Sequence, residues 1–130
     1  MTSPWDVVNR SLSKAHHSLR SGKDAEDFQT VGLFCREALI SVAQAVFDPI
    51  RHHSTDGIVP SATDAGRMLS AYFASVLGGA SNEASRKHAK AALSLAIELQ
   101  HRRTAAHQDA ALCVEATSAV VNLIAILEGQ

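Results

Sequence analysis

Cysteine is nearly absent from this chain, with two in 130 residues, Cys35 and Cys113. Both sit inside apolar runs and read as buried, reduced thiols; two isolated cysteines supply neither a disulfide framework nor a zinc ligand set. Charge of one sign is missing too. Twelve Lys and Arg stand against thirteen Asp and Glu, a formal net charge of -1, so no global basic field holds a nucleic acid non-specifically. Any such contact has to be local or shared across an oligomer. The alternation of half-buried strands is absent, and so is any internal repeat. Apolar runs fall short of the roughly 20 residues a spanning helix needs: the last, 120–127, is preceded by Glu115, Thr117 and Ser118. The opening Met1-Thr2-Ser3-Pro4-Trp5-Asp6 carries no basic leader followed by an apolar core. These absences lead to the expectation of a cytoplasmic protein without a membrane segment.

What is present is helical periodicity. A chain of 130 residues, 46% of them hydrophobic, suits one domain over 1–130 with a core of its own. Ser3-Pro4-Trp5-Asp6 is a helix start with a capping box, and Val7, Val8, Leu12, Ala15 and Leu19 recur on one face until Gly22. Arg10, Lys14 and His17 lie on the opposite face, facing water. Asp24 caps a second helix through Phe28, Val31, Cys35, Leu39, Val42 and Val46, whose wide apolar face predicts a central position. Pro49 forces a stop. An irregular stretch over 51–64 leads to a third helix capped by Ser61 or Thr63, with Met68, Leu69, Tyr72, Phe73, Val76 and Leu77 on its apolar side. Gly78-Gly79 ends it. A fourth helix follows Ser81 or Asn82, and a fifth starts between Thr104 and Gln108 and runs to about Leu127. The pattern predicts an all-α, antiparallel bundle of about five helices with no β-sheet.

Polar chemistry concentrates in Gln100-His101-Arg102-Arg103-Thr104-Ala105-Ala106-His107-Gln108-Asp109. On a continuous helix, Arg103 and His107 share a face, whereas Arg102 and His107 point about 140° apart. A break at Thr104-Ala105-Ala106, with Thr104 as a new N-cap, lets Arg102 turn toward His107 instead, and the break with Arg102 as partner is expected. An Arg with a His suits metal-free phosphodiester cleavage. Imidazole moves the proton of a 2′-hydroxyl or of the leaving 5′-oxygen, and guanidinium takes the charge that builds on phosphate. Two copies across a two-fold axis would divide the two proton transfers. The same residues also suit a plain interhelical corner, with the arginines near a helix C-terminus.

The arrangement of a long helix, a short polar corner ending in His107 and a long alanine-rich helix resembles the HEPN superfamily. Its signature is an Arg, four to six residues, then His. Arg102, with four residues before His107, fits it. Arg103 leaves three, and stands where many members carry a polar residue such as Asn. Gly32-Leu33-Phe34-Cys35-Arg36-Glu37-Ala38-Leu39-Ile40 is similar to an early core helix of abortive-infection-like members, and the helical layout matches over about 28–127. The resemblance implies an all-α HEPN-like domain that dimerises with its Arg–His motifs facing one cleft. It implies either a metal-independent ribonuclease or RNA-binding domain of a bacterial defence or toxin–antitoxin system, or a non-catalytic helical dimerisation module of such a system. Arg102, His107 and the assisting Arg103 are then the catalytic candidates. RNA, a second copy of the chain, and an antitoxin or other defence-system protein are the implied partners.

The remaining polar residues carry weaker expectations. Arg86, Lys87, His88 and Lys90 form a local basic patch, either a solvated face or an RNA-tracking surface. Arg36 and Glu37 lie inside the apolar second helix, as a solvated edge or as groups reaching the Arg–His corner; Arg36 joins Arg86, Lys87 and Lys90 as an RNA-binding candidate. The pairs His16-His17 and His52-His53 have no acidic or cysteine partner at ligand spacing and read as surface histidines, so no metal and no cofactor is expected. Tyr72 and Phe73 lie in an apolar stripe and read as core.

Overall fold

A computed structural model describes residues 3–102 and 106–130. Five α-helices follow one another: α1 (Pro4–Ser21), α2 (Ala25–Val46), α3 (Ala65–Val76), α4 (Glu83–Gln100) and α5 (His107–Leu127). No strand occurs among the described residues. The first two helices begin where their caps predict. The Ser3 hydroxyl accepts the Asp6 N–H at 3.2 Å while the Asp6 carboxylate accepts the Ser3 N–H at 3.0 Å, a reciprocal pair that satisfies two of the orphan donors of a helix start. Asp24 and Asp27 do the same for α2, and Asp27 also takes the Lys23 N–H at 2.8 Å.

The central helix is α2, which packs against all four others. Two buried clusters form along it. The larger gathers Leu39, Val42, Leu69, Tyr72, Phe73, Val120 and Ile124; the smaller gathers Val31, Cys35, Leu99, Cys113 and Val114. Both cysteines are free and buried. The Cys113 thiol beside Cys35, and then burial, push the Cys35 thiol far above its ordinary range, so Cys35 is no ready nucleophile. Phe28 at the start of α2 meets His107 at the start of α5, so these two helices run in the same direction. Gly32 faces the end of α4. A Cβ built there would lie 3.2 Å from the Gln100 carbonyl oxygen and 3.4 Å from its Cα. A helix-interior glycine is destabilising by roughly 0.5–1 kcal/mol relative to alanine, and here its missing side chain is what lets the two backbones approach. Gly32→Leu is expected to cost about 1–3 kcal/mol and to displace the end of α4. Chemical denaturation reads the first effect and backbone amide shifts of 98–102 read the second. Stability equal to the parent with unmoved shifts would refute the close approach.

The segment before α3 departs from the sequence reading twice. The N-cap is neither Ser61 nor Thr63 but Asp64, whose carboxylate accepts the Arg67 N–H at 3.1 Å. Asp64 also has a charge partner in the first turn of the helix. The Arg67 guanidinium bonds Asp64 at 2.7 Å and Asp56 at 2.9 Å, tying the loop to the helix it feeds. The Ile58 N–H, then Arg67 and Ser54, hold the Asp56 carboxyl down at about 2. The second departure is His52, expected at the surface and found 4% exposed, whereas His53 is exposed. Its Nδ1 accepts the Asp48 N–H at 2.9 Å, and its ring stands edge-on to Tyr72 at 5.2 Å. The turn over 48–52 folds back on α3 and carries the imidazole inward.

Burial, and then Arg51, lower the His52 pKa. The unfolded chain takes up a proton near pH 6.5, and the folded chain resists it. The stability contribution is therefore whole above about pH 6.5 and falls as pH drops toward the lowered folded value, by at most about 1.4 kcal/mol per pH unit. Urea midpoints between pH 7.5 and 5 are expected to fall more steeply for the parent than for His52→Gln. Parallel slopes would remove His52 from this role.

Between α3 and α4 the chain turns at Gly79, whose φ of 94° needs glycine, and passes through a 3-10 turn, Ala80–Asn82. The fifth helix revises an expectation about apolar length. By length and composition α5 is long and apolar enough to cross a membrane. Its Ala110, Cys113, Val114, Thr117, Val120, Val121 and Ile124 are buried in the bundle, and a core helix has the same composition. At its end, Tyr72 donates its hydroxyl to Glu128 at 2.7 Å.

Candidate functional site

Helix α4 ends at Gln100 and α5 begins at His107, so the chain breaks between them as expected. A continuous helix placing Arg103 and His107 on one face is thereby excluded. Arg103 and Thr104, the second arginine and the expected cap, lie outside the described residues. The N-cap position falls instead to Ala106, which has no side chain to offer. Asp109, three residues into the helix, compensates from the other side: its Oδ2 accepts the Ala106 N–H at 3.2 Å.

The same carboxylate binds the arginine. Arg102 Nη1 donates to Asp109 Oδ1 at 2.8 Å, with side chains 46% and 23% exposed. A pair this wet contributes about 0–1 kcal/mol, so its consequence is geometric: it fixes a guanidinium beside the first turn of α5. Arg102 therefore turns toward Asp109 rather than making a hydrogen bond to His107. His107 is exposed, and its ring stands edge-on to Phe28 at 5.6 Å and 83°. Both side chains sit at one solvent-facing corner, each anchored by a different neighbour. Asp109 was legible as a first-turn acid; that it would also hold Arg102 was not, because seven residues and a helix break separate them.

The RNA-binding candidates scatter. Arg86 donates to the Leu77 carbonyl at 2.6 Å and the Gly79 carbonyl at 3.0 Å, satisfying the carbonyls at the end of α3. Lys87 pairs with Glu83 at 2.9 Å on the surface, and Lys90 is exposed. All three belong to the early turns of α4, while Arg102 follows its last turn. Arg36 is different. It makes no ion pair with Glu37, and it lines a cleft with His101, the neighbour of Arg102. No group of three or more metal-ligating side chains occurs among the described residues. No protein-family profile, no curated protein and no solved structure matches this chain.

Proposed function

We propose that this protein is a HEPN-like, metal-independent endoribonuclease or RNA-binding domain of a bacterial defence or toxin–antitoxin system, cytoplasmic and acting as a homodimer. The observation that carries the reading is the helix break between Gln100 and His107, which leaves Arg102 and His107 at one exposed corner. Arg102 holds a non-bridging oxygen of the scissile phosphate and takes up charge in the transition state. His107 moves the proton, and its counterpart in a second copy completes the acid–base pair. Asp109 is a positioning residue that aims Arg102. The setting in defence rests on the family resemblance alone.

The test is cleavage of mixed-sequence RNA by the purified dimer in EDTA, followed by end-group assay. The expected product carries a 2′,3′-cyclic phosphate. RNA left intact across varied substrates, with harmless expression in cells, would reject catalysis. A second reading, a non-catalytic dimerisation module, draws support from the Arg102–Asp109 pair, which occupies the arginine within its own chain. On that reading Arg102→Ala changes the dimer or its stability and no turnover exists.

A further inference from the structure

The cleft that holds Arg36 is built from three separated stretches of chain. Arg36 and Ile40 come from α2, Ser61 to Gly66 from the entry to α3, and Ile97, Gln100 and His101 from the end of α4. Its volume is about 320 Å³. Donors without partners gather around it. The side chains of Arg36, on α2, and His101, just past the end of α4, make no hydrogen bond or ion pair among the described residues. The Ser61 and Thr63 hydroxyls donate to nothing in the protein. The Gly66 N–H, in the first turn of α3, has no acceptor among the described residues either, and the Ile97 side chain packs where a Cβ would stand. Asp64 also lines the cleft, but Arg67 neutralises it at 2.7 Å and its other oxygen caps α3. Gln100 also lines the cleft, but its Oε1 is buried and offers no surface to a ligand. Ile40 and Ile97 supply apolar walls.

We propose that this cleft binds a phosphate monoester whose remainder rests on the apolar walls of Ile40 and Ile97. Arg36 presents its fork to two phosphate oxygens, His101 approaches from the opposite wall, and the Gly66 N–H with the Ser61 and Thr63 hydroxyls takes the third. The site is separate from Arg102 and His107 and does not require cleavage there.

Titration of the isotope-labelled chain tests it, with inorganic phosphate, adenosine 5′-monophosphate, and a short RNA carrying either a 5′-phosphate or a 5′-hydroxyl as probes. Saturable shifts of the Gly66 amide and the Arg36 Nε–H are expected, with Arg36→Gln weakening binding at least about 10-fold. His101→Gln should weaken it less, and His107→Ala should leave it intact even where cleavage is lost. Tighter binding of 5′-phosphorylated than of 5′-hydroxyl RNA would assign the ester to a strand end; tighter binding of the mononucleotide would assign it to a free metabolite. An unmoved Gly66 amide with every probe, or equal affinities for the parent and Arg36→Gln, would overturn the proposal. So would inorganic phosphate binding as tightly as either ester, since the walls of Ile40 and Ile97 would then contribute nothing.

Discussion

Phe73→Ala is expected to cost about 3–5 kcal/mol of folding stability. The ring is fully buried, stands edge-on to Tyr72 at 5.5 Å, and belongs to the larger core cluster with Leu39, Leu69 and Val120. Removing it deletes most of a phenyl group's transfer free energy and leaves a void. Its lining comes from helices held in place by their other contacts, so the void closes only in part. A domain of this kind has about 5–15 kcal/mol in all, so the loss is a large fraction, and thermal unfolding should move down by roughly 10 °C or more. Phe34, only half-buried, is the internal comparison. Phe34→Ala should cost clearly less, because solvent already reaches its ring. Equal losses for the two variants in urea unfolding would contradict the burial that separates them.

That contrast also marks where sequence reading works. Tyr72 and Phe73 were legible as core because periodicity along α3 is a local property, and so were the caps of α1 and α2, where Ser3 with Asp6 and Asp24 with Asp27 act within a single turn. Reading weakens where several neighbours suit one role, or where a distant residue decides. Ser61, Thr63 and Asp64 all suit a helix cap; Asp64 prevails, and Arg67 holds it and Asp56 together. His52 sits in a polar, turn-rich stretch and is buried only because the turn folds onto Tyr72, twenty residues further along the chain. Arg86 reads as one of a basic patch, yet its guanidinium is committed to two backbone carbonyls of the preceding connection.

The candidate site shows the same division. The break before His107 was legible, because a polar corner between two apolar helices is a local pattern. What each side chain does there was not. Helical angles relate residues only while the helix lasts, so periodicity says nothing of Arg102 finding Asp109 across the break. The Arg36 cleft was still further out of reach. Its parts are separated by about twenty and about thirty residues of sequence, and only the packing of α2 against the ends of α3 and α4 brings them together. Gly32 contributes as well, since its missing Cβ sets how closely the end of α4 approaches α2.

His107→Ala is the substitution expected to affect activity most. If imidazole moves a proton in the transition state, its removal should lower RNA cleavage by about 10²–10⁴-fold. Stability should change little. The side chain is exposed, its one ring contact is the edge-on approach to Phe28, and such a contact contributes about 0.5–1.5 kcal/mol. Alanine is also the best helix former for the first position of α5. Activity and folding are thus separable at this residue, and urea midpoints measured beside cleavage rates separate them. Asp109→Asn makes the complementary test. It removes the charge that aims Arg102 while keeping an oxygen for the Ala106 N–H, so it should lower the rate less than loss of His107 does, and Arg102→Lys should not restore a fork that Lys lacks. A His107→Ala protein that cleaves at the parental rate would end the catalytic assignment for this corner. If Arg102→Ala then altered dimerisation alone, the corner would be an assembly element, and the Arg102–Asp109 pair its organising contact.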